Sequence, residues 1–156
     1  MKKIFTILFL SSALFGGTYL TVGGYSYHFD RKVKLTKKYL NENIEEVEYK
    51  KPNEHHKAIG AYHDITPRYS VSVTSYRNSF NWDSTSLMIH KNYYLENFKA
   101  SLSIGAVNGY GTDGNQNEFM PVLYPSVTYH FKKVYFEISG THKLLFIQVR
   151  FKLLHY

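Results

Sequence analysis

His28 and Ser79 are the two residues whose types and placement offer this sequence most of its chemistry. An imidazole titrates near neutrality, so a histidine held against a serine hydroxyl is a general base with a nucleophile beside it. His28 lies in the run Ser26-Tyr27-His28-Phe29, and Ser79 follows Tyr76-Arg77-Asn78. Asn78 adds an amide N–H able to donate to a developing oxyanion. Asp30 and Asp83 are the acidic residues close to these two segments in the chain.

The remaining patterns offer less. Gly109-Tyr110-Gly111-Thr112-Asp113-Gly114 spells G-x-G-x-x-G, but Asn115-Gln116-Asn117-Glu118 leads from it into a strand. A dinucleotide fingerprint needs a helix there to receive a pyrophosphate, so the glycines read as a flexible loop. The eight histidines show no H-E-x-x-H spacing, and His55-His56 reads as a solvated pair in a polar loop. No G-x-S-x-G elbow is present. The absence of cysteine excludes a disulfide scaffold, a thiolate zinc site and a cysteine nucleophile together. No cofactor and no metal are expected.

Whether His28 meets Ser79 depends on the elements that carry them. Tyr25, Tyr27 and Phe29 alternate with Ser26, His28 and Asp30, and residues two apart share one face of a strand. The pattern recurs with Tyr69-Val71-Val73, Leu87-Ile89, Phe98 to Ala106, Val127-Tyr129-Phe131, Val134-Phe136-Ile138 and Leu145 to Leu153, each opposed by Ser, Thr, Lys, Glu or His. With a less clean segment near 57–64, eight strands are expected.

The connections choose between a soluble and a membrane barrel. Thr66-Pro67, Glu96-Asn97 and Lys132-Lys133 are short, whereas 32–56, 78–83, 107–118 and 140–143 are longer and alternate with them. Short turns at one end and longer loops at the other describe an outer-membrane barrel, with apolar residues toward lipid and polar ones in the lumen. The fold class expected is therefore all-β, an eight-stranded antiparallel up-and-down transmembrane β-barrel. A soluble lipocalin-like carrier in the periplasm is the architectural alternative. A membrane barrel also reconciles a mean hydropathy of −0.34 with an aromatic content of 17%, since only half of each strand has to be apolar. Its final strand alternates strongly and the chain ends in Tyr156, consistent with an aromatic girdle.

In this topology the first and third strands run the same way, so His28 and Asn78-Ser79 fall at one rim of a narrow barrel. Pro121 and Pro125 stand four apart on the sixth strand, so their missing N–H groups face one neighbouring strand. A seam short of donors is a candidate gate for a lipid chain. Lys2-Lys3, the apolar run Ile4 to Leu10 and Ser11-Ser12-Ala13 read as a signal peptide over residues 1–13, leaving 14–156 as one barrel domain. Residues 31–51 mix lysines with Glu42, Glu45, Glu46 and Glu48 and read as a solvated charged loop, in which Leu40, Ile44 and Val47 make one amphipathic turn. The net charge of +7 suits an anionic lipid surface. Nucleic acid is not an expected partner, because the basic residues are not interleaved with an aromatic reading surface.

The order of these features resembles the PagP family, the lipid A palmitoyltransferases of Gram-negative outer membranes, including small phage-encoded PagP-like proteins. The resemblance rests on Ser26-Tyr27-His28-Phe29, on Tyr76-Arg77-Asn78-Ser79-Phe80 and on Phe119-Met120-Pro121-Val122-Leu123-Tyr124-Pro125, and spans roughly residues 20–153. It implies that the family's catalytic histidine is matched by His28 and its serine by Ser79. Asn78 stands where the family has an aspartate, and an amide cannot supply the negative charge that orients an imidazolium. No amphipathic helix is expected before the first strand. The resemblance implies a monomeric outer-membrane acyltransferase that moves an acyl chain from a phospholipid donor to lipid A, with lipid admitted at Pro121 and Pro125. The alternative reading is a non-catalytic surface barrel whose loops bind or shield a partner, encoded by a phage to alter its host's surface.

Overall fold

The computed structural model describes residues 17–29, 33–38, 45–110 and 118–154. They form ten strands: β1 (Thr18–His28), β2 (Val33–Lys38), β3 (Glu45–Lys50), β4 (Ile59–Thr66), β5 (Tyr69–Arg77), β6 (Asp83–Leu95), β7 (Phe98–Val107), β8 (Met120–Phe131), β9 (Val134–Gly140) and β10 (Leu144–Leu154). Eight of them close into an antiparallel barrel in the order β1-β10-β9-β8-β7-β6-β5-β4, and β2 and β3 form a separate hairpin. No helix occurs among the described residues. The closed, all-antiparallel meander is the expected fold class.

Side-chain direction makes this barrel inside-out. Along β6, Leu87 is 60% exposed and Ile89 55%, whereas Ser84 and His90 are 2% exposed. Ile104, Leu123 and Val127 continue the outward apolar face, and Ser70, Ser103 and Thr128 point into the lumen. An apolar outer surface around a polar interior is stable only where hydrocarbon replaces water outside. The barrel is therefore built to span a membrane.

Both ends are legible. The start of β1 pairs with the end of β10, Thr18 opposite Leu154, at the end where the Glu96-Asn97 and Lys132-Lys133 turns lie. Exposed Tyr93, Tyr94, Phe98, Tyr129 and Phe131 cluster beside those turns, with Phe98 and Tyr129 ring centroids 5.1 Å apart. Amphipathic rings at one level make the interfacial girdle that anchors a barrel in depth. Residues 1–16, including the expected signal peptide, and Tyr156 lie outside the described residues.

Two expectations change. The charged region 31–51 holds the β2–β3 hairpin, in which Lys37 pairs with Glu46 and Lys38 with Glu45. Val47 therefore belongs to a strand rather than to a helical turn, and Leu40 and Ile44 lie outside the described residues. The first strand also begins well before Tyr25. A register shift between Val22 and Tyr25, with Gly23 at φ 67°, moves the inward positions from Tyr19 and Thr21 to Ser26.

The lumen is closed in its turn-side half. Buried Glu137 accepts from the Arg150 guanidinium, from Gln148 and, at 3.2 Å, from Thr128. Arg150 lies 4.0 Å over the Tyr62 ring, and Lys99 Nζ donates to the Tyr62 hydroxyl at 2.8 Å. Asp64 accepts from Tyr19 at 2.9 Å and from Ser70 at 2.7 Å. Two acids and two bases thus share a hydrogen-bonded plug. Buried charges persist when paired and hydrogen-bonded in this way.

Candidate functional site

Above the plug the barrel keeps a cavity of about 390 Å³, within the span of small-molecule sites, roughly 300–1,000 Å³. Its wall includes Ser26, His56, Ser79 and Tyr110 near the rim, and Met88 and Gln148 toward the plug. β1 and β5 both end at this rim, which places His28 and Ser79 together as the topology demands. The Ser79 Oγ lies 2.8 Å from His28 Nε2, a contact between residues 51 apart in the chain.

The third expected member is not available. Asn78 is fully buried, and its amide nitrogen donates to Ser84 Oγ at 2.9 Å and to the Gly109 carbonyl at 2.6 Å. Its side-chain oxygen accepts from the Phe80 and Trp82 backbone N–H groups at 2.9 and 3.0 Å. All four capacities of the amide are consumed in tying the β5–β6 turn to the start of the following loop. Asn78 positions Ser79 and donates nothing to a substrate.

This explains why an amide stands here. Asn78→Asp is expected to lower barrel stability by about 1–3 kcal/mol, because the Gly109 carbonyl and Ser84 lose their donor to a buried acceptor. It is not expected to raise any activity. Urea unfolding in lipid vesicles, followed by gel mobility, measures the loss; a variant as stable as the parent would show that the staple carries no weight. The other acids do not replace it. Asp83 is exposed and 3.1 Å from Arg77, and Asp30 lies outside the described residues.

Pro121 and Pro125 sit where the ladder fails. β8 pairs with β7 along its full length, Met120 opposite Val107 and Phe98 opposite Tyr129, but meets β9 only from Ser126 onward. His130 N donates toward the β7 side, to Asn97 O at 2.8 Å, so the even N–H groups of β8 face β7 and the odd ones face β9. Both proline nitrogens therefore lie on the unpaired side. Of the three odd positions between Met120 and Ser126, only Leu123 keeps an N–H. An open seam in hydrocarbon is costly in proportion to its unpaired polar groups, and two prolines remove two of them.

The seam and the rim share one space. Pro121 and Leu123 point outward, yet both line the same cavity as Ser79 and Tyr110. The cavity therefore reaches the outer surface of the barrel sideways, between the Met120–Pro125 stretch of β8 and the end of β9.

One residue was misjudged from sequence. His56 is buried at 4% exposure, while its neighbour His55 is exposed. β1 pairs with β4 only as far as Val22 opposite Ile59, and beyond that residues 54–58 take the place of a strand. His56 N donates to Gly24 O, Ser26 N to Glu54 O and Gly23 N to Ala58 O, each at 2.8–2.9 Å. The His56 ring packs against Phe146 and Tyr76, with centroids 5.4 and 5.9 Å away. A Cβ on Gly24 would lie 2.9 Å from the Phe146 ring and 3.2 Å from His56 Cβ, so glycine there makes room for the histidine. The available signal was parity: the inward positions Tyr62, Gly60 and Ala58 of this arm run back to His56.

Among the described residues no cluster of histidine and acidic side chains is arranged to hold a metal ion. No protein-family model matches the chain. No curated protein matches its sequence. Among solved structures, the chain is similar to a de novo designed transmembrane β-barrel, with a TM-score of 0.57 at 13% identity over 88% of this chain and 95% of that one. That likeness concerns the fold alone.

Proposed function

We propose that this barrel is an outer-membrane acyltransferase that moves an acyl chain from a phospholipid to lipid A, as the PagP-like motifs imply. The observation that carries the reading is the lateral cavity: outward-facing Pro121 and Leu123 and inward-facing Ser79 line one space. A lipid tail reaching the lumen through the β8–β9 seam brings its ester to the rim. There His28 acts as general base toward the acceptor hydroxyl, and Ser79, 2.8 Å from its Nε2, contacts the ester. No cofactor is used, and the protein works as a monomer. The N-terminal signal peptide directs it to the outer membrane of a Gram-negative bacterium, where its basic residues meet the lipid A phosphates.

Lipid A mass spectrometry in a host lacking its own acyltransferase tests the reading. One added acyl-chain mass is expected with the wild type and none with His28→Ala; no added mass with the wild type removes it. The gate has its own check. Pro121→Ala combined with Pro125→Ala is expected to slow transfer several-fold while leaving heat-modifiable gel mobility intact. Transfer at the parental rate would sink the gate. The alternative, a surface barrel whose loops bind or shield a partner, draws on the separate β2–β3 hairpin between β1 and β4 in the chain.

A further inference from the structure

We propose that Ser26 and His56 form a second serine–histidine pair inside the same cavity, with Ser26 the nucleophile that carries the acyl group. The proposal deepens the acyl-transfer reading and rests on it for the identity of the acceptor. Ser26 Oγ lies 2.6 Å from His56 Nε2, and His56 Nδ1 is hydrogen-bonded to the Arg77 carbonyl. A carbonyl only accepts, so Nδ1 carries the proton and the neutral ring presents Nε2 as the base. The Ser26 hydroxyl then donates to Nε2, and the three groups are ordered as nucleophile, base and orienting acceptor. Both Ser26 and His56 line the cavity that opens through the seam.

Among the described residues no other histidine shares this arrangement. His90 lies between two hydroxyls, Ser72 at 2.9 Å and Ser103 at 2.7 Å, with no main-chain acceptor fixing its tautomer. His63 meets Thr18, away from this cavity. His56 is instead delivered by a segment that replaces a strand, against a glycine that makes room for it.

The chemistry balances without a further reagent. Ser26 Oγ bonds to the carbonyl carbon of the phospholipid ester as its proton passes to His56 Nε2. The carbon–oxygen bond to glycerol breaks, and the departing oxygen takes that proton, leaving a lysophospholipid and acyl-Ser26. An acceptor hydroxyl of lipid A, or water, then bonds to the acyl carbon and gives its proton to His28; the bond to Ser26 Oγ breaks, Ser26 takes a proton from solvent by way of His56, and His28 returns its own to solvent. In this sequence His28 serves the acceptor at the rim and His56 serves the donor below it.

The test uses the purified full chain in detergent micelles and hexadecyl fluorophosphonate, which bonds covalently to activated serines with loss of fluoride. Mass spectrometry separates the tryptic peptide ending at Arg31, which holds Ser26, from Asn78–Lys91, which holds Ser79. The adduct is expected on Ser26, with its rate about a hundredfold lower in His56→Gln and unchanged in His55→Gln. Heat-shifted gel mobility certifies that each variant is folded. Labelling of Ser79 alone, an equal loss in both histidine variants, or no adduct on the folded wild type overturns the pair. Wild-type transfer to lipid A by Ser26→Ala also overturns it, and leaves the proposed function standing. Labelling of Ser26 without any transfer to lipid A upholds the pair and removes the acyltransferase reading.

Discussion

Glu137→Ala is expected to cost the barrel about 3–5 kcal/mol, the largest stability loss of any single side chain in the lumen. The carboxylate is 1% exposed and its Arg150 partner 3%, so neither is screened by bulk water. Removing it leaves a buried guanidinium that still has donors to satisfy, with Lys99 adding a second positive charge in contact with the same Tyr62 ring. Only Asp64 then remains of the two acids. Glu137→Gln keeps the shape and one acceptor and is expected to lose less. Glu137→Leu combined with Arg150→Met is expected to recover most of the loss, because replacing both charges removes the unpaired one. Urea titrations of vesicle-inserted protein measure all three. If the double variant is as unstable as Glu137→Ala, packing rather than charge holds the plug.

His28→Ala is expected to lower acyl transfer by about two to four orders of magnitude, the ordinary contribution of a positioned general base. The barrel should remain folded, since His28 ends β1 and its contact with Ser79 lies at the rim. Ser79→Ala is expected to fall less far, because it removes a contact to the ester and leaves the base in place. Lysophospholipid release from micelles carrying lipid A gives both rates. A His28→Ala protein that transfers within threefold of the parent would take the base role away from His28. The comparison also divides the work between the two histidines: losing His28 should spare fluorophosphonate labelling of Ser26, while losing His56 should not.

Much of this architecture was readable because a membrane barrel obeys a period of two. Leu87 and Ile89 declare an outward face, and the two-residue turns at Glu96-Asn97 and Lys132-Lys133 declare which end faces which way. The meeting of His28 with Ser79 follows from counting strands. Besides His56, three features escaped for physical reasons. The β2–β3 strands alternate only over Val33-Leu35 and Val47-Tyr49, two apolar positions each, inside a run dominated by charge. Thr18–Val22 was lost because the Gly23-Gly24 bulge reverses the parity of β1 partway along. Asn78 looked like a donor for chemistry because its sequence neighbours carry the motif; only the partners around it, Ser84 and Gly109, reveal a staple.

The unpaired stretch of β8 has a consequence apart from lipid passage. A closed barrel has no edge, but between Met120 and Pro125 this one does, and an edge strand invites a strand from another molecule to add to it. An intruder would need N–H donors at every second residue of β8. It finds proline at positions 121 and 125, with Leu123 alone able to answer. The residues that leave the wall open thus also leave a neighbouring strand few donors to pair with.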